Sequence, residues 1–368
     1  MKNLNKQSKI SIIGMGYVGL PLAEKLSKYY NVIGFDNNIN RINSLKNNLD
    51  YNSQITYSKL NKKKIIFTFN EKDLLDSNIF IITVPTPIYK NKNPDLSYLL
   101  NATKIVANYL KKNSIVVYES TVFPGCTRNY CIPILSKVSG MKFNKDFFCG
   151  YSPERINVGD KINTIENIIK IVSGSTPKVS EILKNMYQKV LSNKKNIYLT
   201  KSIEIAEAAK VIENIQRDLN IALINELAVI FNKMKLNIND ILDAASTKWN
   251  FVKYKPGLVG GHCIGVDPYY LTHACKKFRY KPKLILSGRR LNENVSKFLK
   301  DEMLKKLNIN FKIKKFKILV LGCTFKENCN DIRNSKVVDL VKYFENKHFV
   351  DVFDPYIDQY NFKKAKII

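Results

Sequence analysis

One cysteine, Cys263, lies in the glycine-rich stretch 257–270 (GLVGGHCIGVDPYY), and a carboxylate, Asp267, follows it four residues later. Glycine accepts backbone angles that other residues avoid and lets a ligand approach the main chain closely. Pro268 suits the first turn of a helix, so a helix is predicted to begin here, and the positive end of its dipole would favour a thiolate. The stretch therefore predicts a reactive thiol, and the alternative is a tight turn around a small buried thiol.

A second stretch has the order strand, glycine turn, helix, strand and acid that is typical of a dinucleotide-binding unit. The strand 9–13 leads into GMGYVG at 14–19, then a helix, then a second strand that ends in Asp36. In such a unit the first glycine forms the turn, the second admits the pyrophosphate to the helix N-terminus, and the third lets helix and strand pack. Asp36 would accept the ribose hydroxyls and repel a 2′-phosphate, which predicts NAD, whereas Arg41 leaves NADP open.

Further alternation of strands and helices predicts a doubly wound sheet, with strands over 65–69, 79–84 and 114–119. Polar loops with Thr86 and Thr121 follow the last two of these strands. Ligands bind beyond the carboxyl ends of such strands, although both threonines also suit ordinary turns. The predicted cofactor-binding residues are Gly14, Gly16, Tyr17, Val18, Gly19, Asp36, Arg41, Thr86 and Thr121.

The longest helical pattern covers residues 203–235. On this helix Lys210 and Asn214 share one face with Arg217 or Asp218, because residues at these spacings are neighbours along a helix. The face predicts either a row of ligand-binding side chains or a solvated polar stripe.

A loop among apolar residues holds the neighbouring pair Glu154 and Arg155. A surface ion pair is the usual explanation of such neighbours. The alternative is a carboxylate held in a cleft for acid–base catalysis.

The composition excludes several classes of protein. The net charge of +29 comes from lysines scattered along the chain, with only eight arginines, so no nucleic-acid partner is predicted. The seven cysteines lack regular spacing, so no disulfide framework is predicted. A reducing cytoplasm is therefore the expected setting. The sequence contains no run of about 18 apolar residues, so no membrane span is predicted. The candidate metal ligands lack paired spacing, so no metal is predicted; they are His262, Cys263, His273 and Cys275.

The last part of the chain begins a second sheet-and-helix domain, with strands over 315–321 and 349–353 and a helix over 336–344. A lone βαβ start has too little sheet to form a complete layer, so this domain is predicted to be truncated. The predicted domains are an NAD-binding Rossmann domain at 1–198, a central helical domain at 199–306 and a partial sheet-and-helix domain at 313–368.

Taken in order, these motifs resemble the UDP-glucose/GDP-mannose dehydrogenase family over essentially the whole chain. The motifs are GMGYVGLP at 14–21, VPTP at 84–87, ESTV at 119–122, SPER at 152–155, EAAKVIEN at 207–214, GGHCIGVDP at 260–268 and FKEN at 325–328. KWNF at 248–251 is most similar to the bacterial branch that acts on UDP-N-acetylhexosamines for surface polysaccharide.

The resemblance implies a four-electron oxidation of a sugar C6 alcohol to a carboxylate, with two NAD and no metal. The Cys263 thiolate would add to the C6 aldehyde to give a thiohemiacetal, which a second hydride transfer converts into a thioester. Lys210 and Asn214 would stabilise the oxyanion, and Glu154 or Asp267 would activate the hydrolytic water. The implied sugar-nucleotide pocket contains Arg155, Ile156, Lys210, Asn214, Arg217, Tyr254, Gly260, Lys326 and Arg333.

Thr121 is similar to the family residue that positions water beside the nicotinamide. Two departures from the family are expected to matter. Val158 stands where UDP-glucose members carry a second glutamate. The family's last domain also continues for roughly fifty more residues, about half of a small α/β layer, so weakened nucleotide-sugar binding or an unstable chain is expected.

The favoured function is an NAD-dependent UDP-N-acetylhexosamine 6-dehydrogenase, and UDP-GlcNAc is the favoured substrate. The enzyme is expected to work in the cytoplasm as a homodimer that forms through the central helix. UDP-glucose and UDP-ManNAc stay open as substrates, because pocket geometry sets the choice of epimer. Two other functions stay open. One is a two-electron hydroxyacid dehydrogenase, which needs no cysteine, and the other is a non-catalytic dinucleotide-binding remnant.

Overall fold

The computed structural model of the chain describes residues 4–50, 65–155, 164–261, 263–311, 315–327, 331–357 and 360–368. The chain divides into two compact units, residues 1–211 and 212–368. Each unit combines helices with a mainly parallel sheet. The predicted α/β class is therefore confirmed, and the three domain boundaries stay predictions.

Short apolar runs form the large sheet of the first unit. Its strands are β1 (Lys9–Ile13), β2 (Asn31–Phe35), β3 (Ile65–Thr68), β4 (Ile79–Ile82), β5 (Ser114–Tyr118), β6 (Phe147–Tyr151), β7 (Lys170–Gly174) and β8 (Ile197–Leu199). Among the described residues the strand order is β3-β2-β1-β4-β5-β6-β7-β8, and the β6–β7 pair is antiparallel while the other pairs are parallel. β4 and β5 are buried throughout, as expected for central strands with helices on both faces. The chain crosses from β3 to β4 over β1, and this reversal creates a crevice at the carboxyl ends of β1 and β4.

The helices of the first unit are α1 (Gly19–Ser27), α2 (Ile39–Lys46), α3 (Ser97–Asn108), α4 (Ile132–Ser139) and α5 (Pro177–Gln188). Local signals explain where some of them begin. Thr176 accepts a hydrogen bond from the Val179 N–H and is followed by Pro177, so α5 has both an N-cap and a proline in its first turn. The long helix α6 (Ile203–Lys233) begins in this unit and continues into the second.

The second unit continues with α7 (Ile238–Ala245), α8 (Asp267–Lys276), α9 (Lys283–Phe311) and α10 (Lys336–Phe344). Its sheet pairs β9 (Lys317–Leu321), β10 (Phe349–Phe353) and β11 (Lys366–Ile367) in parallel, with β10 in the centre. One face of this sheet packs on α10 through a core that includes Phe344 and Val352. The other face exposes apolar side chains, namely Leu319, Leu321, Phe349 and Phe353.

The strands and helices predicted from the sequence occur with their ends moved by a few residues. The sequence analysis did not predict α2, α4, α5, β6, β7, β8 or β11. Within the described residues, no helix is both long and apolar enough to cross a membrane.

Candidate active site

The glycine turn between β1 and α1 has the geometry of a dinucleotide cradle. Gly14 has a φ of +101°, which favours glycine, and a Cβ on Gly19 would lie 1.9 Å from the Gly14 carbonyl oxygen. At Gly16, in contrast, a Cβ would meet no described atom within 4 Å. The protein itself therefore requires the first and third glycines, whereas the second borders open space of the kind that a pyrophosphate occupies.

Thr83, at the end of β4, holds this turn in place. Its hydroxyl lies 3.1 Å from the carbonyl oxygen of Ile13 and 2.8 Å from that of Gly14, to which it donates. The same hydroxyl oxygen would lie 2.5 Å from a Cβ on Gly19. Sequence analysis missed this residue, because only the pairing of β1 with β4 brings it to the glycine turn.

Asp36 and Arg41 lie beside the same turn. The Asp36 carboxylate accepts hydrogen bonds from the backbone N–H of Met15 at 2.8 Å and of Asn38 at 2.9 Å, which fixes its orientation after β2. Arg41 donates to the Met15 carbonyl oxygen at 2.8 Å and pairs with Asp50 at 2.8 Å. Because a carboxylate already compensates its charge, Arg41 is poorly placed to attract a 2′-phosphate.

The loop that carries Thr121 is fixed at both ends. Ser120 donates to the Val84 carbonyl oxygen at 2.6 Å. Farther along, the buried Glu207 of α6 accepts hydrogen bonds from the N–H groups of Gly125 at 2.5 Å and Thr127 at 2.9 Å. Burial raises the pKa of Glu207 to about 7. Thr121 and Thr86 are both half-buried, in loops that follow the neighbouring strands β5 and β4.

Glu154 lies on a buried charge cluster and not on the surface. One of its carboxylate oxygens accepts the Arg155 backbone N–H at 2.6 Å, and the other lies 3.7 Å from the Lys170 ammonium. Lys170 also pairs with Glu119 at 2.9 Å. Arg155 donates a guanidinium N–H to the Ile169 carbonyl oxygen at 2.9 Å.

In the second unit, close packing shapes the cysteine loop. Gly261 has a φ of +82°, and a Cβ there would lie 2.8 Å from the Phe325 ring. At Gly260 a Cβ would lie 2.8 Å from the Asn334 carbonyl oxygen. Cys263 is half-buried, and its carbonyl oxygen accepts the Asp267 N–H at 2.8 Å. The two glycines therefore let the loop pack against the segment between β9 and α10.

Both ends of this loop are bonded to asparagines of α6. Asn214 donates to the buried Asp267 carboxylate at 2.5 Å. Asn225 accepts the Gly257 N–H at 2.8 Å and donates to the Gly257 carbonyl oxygen at 2.9 Å. Asp267 is the first residue of α8, as expected, so one carboxylate links the start of that helix to α6.

Buried side chains continue this network behind the loop. Asn225 donates to the Asn292 side-chain oxygen at 2.9 Å, and Asn292 donates to the Asp218 carboxylate at 2.8 Å. Asp218 pairs with Arg289 at 2.5 Å, and both are buried. On the polar face predicted for the long helix, Asp218 therefore points inward to structural partners, whereas Arg217 is exposed.

The remaining predicted residues lie in both units, Lys210 in the first and Tyr254, Lys326 and Arg333 in the second. Lys210 and Tyr254 are half-buried, the former one helical turn before Asn214. Arg333 is exposed and makes a two-point contact with Asp331, and Lys326 is half-buried in the segment after β9. Ile156 lies outside the described residues. Within the described residues, no group of three or more His, Cys, Asp or Glu side chains is arranged to hold a metal.

Comparison with known proteins gives this arrangement its context. Three family models match the chain. They are the NAD binding domain (residues 8–191), the central domain (204–294) and the UDP binding domain (319–367) of the UDP-glucose/GDP-mannose dehydrogenase family. The chain belongs to this family.

Similar proteins include two bacterial enzymes named UDP-N-acetyl-D-glucosamine 6-dehydrogenase. That of Salmonella typhi is 51% identical over 95% of this chain and 83% of the relative. That of Pseudomonas aeruginosa is 49% identical over 96% of this chain and 84% of the relative. Among solved structures, the UDP-D-ManNAc dehydrogenase of Pyrococcus horikoshii has a TM-score of 0.87 at 31% identity, covering 95% of this chain and 84% of the other.

Membership of the family confirms several predictions. The chain is a nucleotide-sugar dehydrogenase, an oxidoreductase with NAD as its cofactor, because the NAD binding domain of the family is matched. The matched UDP binding domain supports a UDP-sugar substrate. The roles of individual site residues stay predictions.

Sequence analysis missed several residues that position the site. They are Thr83, Glu119, Lys170, Glu207 and Asn225. Two had a usable signal. Lys170 is a single charge inside the apolar run IIKIV, and Glu207 lies among alanines one turn before Lys210. Both patterns are unusual unless the charge has a buried partner.

Proposed function

We propose that this dehydrogenase oxidises the C6 hydroxyl of a UDP-N-acetylhexosamine, UDP-GlcNAc in the first place, to the uronic acid. The half-buried Cys263 carries the proposal, because its loop is held at both ends by asparagines of α6. A thiol fixed in this way suits covalent capture of an aldehyde. The two bacterial relatives named for UDP-N-acetyl-D-glucosamine support the choice of substrate.

Bound NAD supplies a hydride acceptor in each of the two oxidation steps. Gly16 leaves space for its pyrophosphate, and the fixed Asp36 carboxylate is assigned to its ribose hydroxyls. Tyr17, Val18, Thr86 and Thr121 are assigned to the same cofactor. Because Arg41 is ion-paired with Asp50, its charge is not available for a 2′-phosphate, and these residues favour NAD over NADP.

Cys263 is assigned the nucleophile's role. Its sulfur forms a bond to C6 of the aldehyde, and the resulting thiohemiacetal loses a hydride to become a thioester. Lys210 and Asn214 are assigned to the oxyanion on the C6 oxygen. The amide group of Asn214 has two N–H bonds, and the one directed at Asp267 fixes how the other is aimed.

Glu154 is assigned as the base that removes a proton from water when the water oxygen attacks the thioester and the sulfur leaves. The hydrogen bond from Arg155 N–H and the ammonium of Lys170 hold its two carboxylate oxygens. Asp267 is assigned a positioning role, because its carboxylate is bonded to Asn214 and lies at the start of α8.

The cationic side chains assigned to the substrate would offset the charge of the UDP pyrophosphate. These are Arg155, Arg217, Lys326 and Arg333, with Tyr254, Gly260 and Ile156 as their proposed neighbours.

The test is a stoichiometric assay over UDP-GlcNAc, UDP-GalNAc, UDP-ManNAc and UDP-glucose. We expect two NADH for each UDP-GlcNAc consumed and no uronate from the Cys263→Ala variant. Uronate from that variant at the wild-type rate would overturn the proposal, and one NADH per sugar would favour a two-electron dehydrogenase. A chain that binds NAD but turns over none of the four sugars would be a non-catalytic remnant.

We also propose that the enzyme is a homodimer through α6. Four exposed apolar residues of α6 lie within about 20° of one another around the helix axis: Ile205, Ile212, Leu223 and Ile230. Sedimentation of the Leu223→Asp variant should show a lighter species than the wild type, and an unchanged sedimentation coefficient would argue against this interface. None of the six described cysteines forms a disulfide, which supports work in a reducing cytoplasm. A uronic acid product suits surface polysaccharide synthesis.

A further inference from the structure

A fully buried ammonium lies between two carboxylates at the carboxyl edge of the large sheet. Glu119 follows β5, Glu154 lies in the loop after β6, and Lys170 begins β7, which runs antiparallel to β6. Strand direction thus brings three separate segments together at the edge where ligands bind in a doubly wound sheet. Only one of the three charged residues, Glu154, has a role in the proposed reaction.

We propose that Lys170 is a positioning residue for Glu154: it neutralises Glu119, so that Glu154 keeps the negative charge and the orientation that a base for thioester hydrolysis needs. This inference rests on the proposed function. It deepens that function by adding Lys170 and Glu119 to the residues that control the hydrolytic step.

The distances support a shared cation. The Lys170 Nζ lies 2.9 Å from a Glu119 oxygen, 3.7 Å from a Glu154 oxygen and 3.5 Å from the Pro153 carbonyl oxygen. Glu119 is 2% exposed, Lys170 1% and Glu154 8%, so water screens these interactions only weakly. The second Glu154 oxygen accepts the Arg155 N–H at 2.6 Å, so one oxygen is fixed by a hydrogen bond and the other faces the ammonium at ion-pair distance.

Other elements contribute further groups to the cluster. From α5, the Tyr187 hydroxyl donates to the second Glu119 oxygen, and its ring centroid lies 5.0 Å from the Lys170 ammonium. From the loop after β6, the Arg155 guanidinium is directed to the Ile169 carbonyl oxygen. Burial acts to lower the pKa of Lys170, but the two carboxylates outweigh it and the pKa is raised, so the ammonium stays charged. Burial raises the pKa of Glu119, and the negative charge of Glu154 adds to this effect.

The charge balance shows what Lys170 contributes. With Lys170 the cluster holds two negative charges and one positive charge, and without it two carboxylates would share one buried space. Two such carboxylates do not both ionise readily, because each raises the pKa of the other. A buried ion pair is also poor evidence for stability alone, since apolar side chains of similar volume often serve as well. A role in keeping Glu154 charged explains why a lysine stands at the start of β7.

The test compares the pH dependence of kcat for uronate formation among the wild type, Lys170→Met, Glu119→Gln and the double variant. We expect Lys170→Met to move the acidic limb upward by about 1–2 pH units. Glu119→Gln should move it in the opposite direction, because Lys170 then has a single partner. The double variant should return it close to the wild-type position. Lys184→Met, which removes a half-buried lysine paired with Glu181 on α5, is the matched control and should change nothing.

A second readout separates hydrolysis from oxidation. In Lys170→Met at pH 6 the first NADH should form at the wild-type rate, while intact-protein mass spectrometry shows the thioester on Cys263 accumulating. If the single variant does not fold, the opposite shift in Glu119→Gln and the recovery in the double variant still decide the question. An acidic limb unchanged in Glu119→Gln, or not recovered in the double variant, would overturn the inference.

A Glu154→Gln variant distinguishes the two levels of failure. If it hydrolyses the thioester normally, the base assigned in the proposed function is wrong, and the inference fails with it. If it stalls at the thioester while Lys170→Met keeps the wild-type pH profile, only the role of Lys170 is refuted.

Discussion

Asn225 is predicted to control the order of the cysteine loop, although it lies 38 positions before Cys263 in the chain. Its side chain bonds both backbone groups of Gly257, at 2.8 and 2.9 Å, where the loop begins. It also donates to the Asn292 side-chain oxygen at 2.9 Å. Replacing Asn225 with alanine removes all three hydrogen bonds at once and leaves the fold of α6 unchanged, because alanine is the best helix former.

The cost can be estimated from these three bonds. Gly257 is exposed, so water can replace its two lost partners, and each bond costs about 1 kcal/mol. Asn292 is fully buried, so its unpaired oxygen costs a further 1–2 kcal/mol, roughly. The sum is about 3 kcal/mol, which corresponds to a shift of about a hundredfold in the equilibrium for local opening of the loop.

Hydrogen exchange of peptides spanning 257–267, followed by mass spectrometry, measures this equilibrium. We expect these amides to exchange about a hundredfold faster in the Asn225→Ala variant, and kcat for uronate formation to fall because Cys263 is less well placed. The control is Asn232→Ala on the same helix, which removes an exposed hydrogen bond of 2.9 Å to Glu302 and should change stability by less than about 0.5 kcal/mol. Equal exchange in the two variants would refute the idea that Asn225 holds the loop.

Three further predictions concern other parts of the site. The pKa of Glu207 is raised to about 7 from 4.5, so the folded protein holds an extra proton between these values, and stability should fall as the pH rises from 4.5 to 7. The melting temperature should fall less steeply between pH 4.5 and 7 in Glu207→Gln than in the wild type. An equal fall in the two proteins would contradict the assignment. Among the described cysteines, alkylation of the native enzyme followed by peptide mapping should modify Cys263 and Cys275 and spare the four buried thiols; labelling of those four at similar rates would contradict the burial. Asp36→Ala should lower kcat/KM for NAD by about 10- to 100-fold through loss of charged hydrogen bonds, with kcat at saturating NAD little changed; an unaltered KM for NAD would refute its assignment to the ribose.

Short-range patterns predicted the fold class and the local backbone geometry at several of the predicted site residues. The glycine turn, Asp36 and the start of α8 at Asp267 all follow from local rules about backbone angles, caps and strand order. The same rules predicted one polar face on the long helix. They could not decide whether Arg217 or Asp218 points inward, because that depends on the partner Arg289, which is 71 positions away from Asp218.

Other parts of the site depend on long-range contacts that no local pattern contains. Glycine at 261 is required both by a positive φ and by the Phe325 ring, which belongs to a segment more than sixty positions later in the chain. Lys170 and Glu119 are 51 positions apart and meet only because β5, β6 and β7 are neighbours in that order. The interpretation of Glu154 and Arg155 as a simple surface pair failed for the same reason, since Glu154 lies on the buried Lys170.

The long helix α6 contacts several of the segments that are assigned to the proposed reaction. Its 3.6-residue period places five side chains within an arc of about 80°: Glu207, Lys210, Asn214, Asp218 and Asn225. Two of them hold the cysteine loop, one holds the Thr121 loop and one anchors α9 through Arg289. Lys210 lies within this arc, and the proposed oxyanion contact requires an ammonium at a fixed position. Because the neighbouring contacts restrain the helix along its length, they restrain the position of Lys210 as well. The exposed apolar residues of α6 lie on the opposite side of the helix, so a second copy of the chain could bind there without displacing any of these contacts.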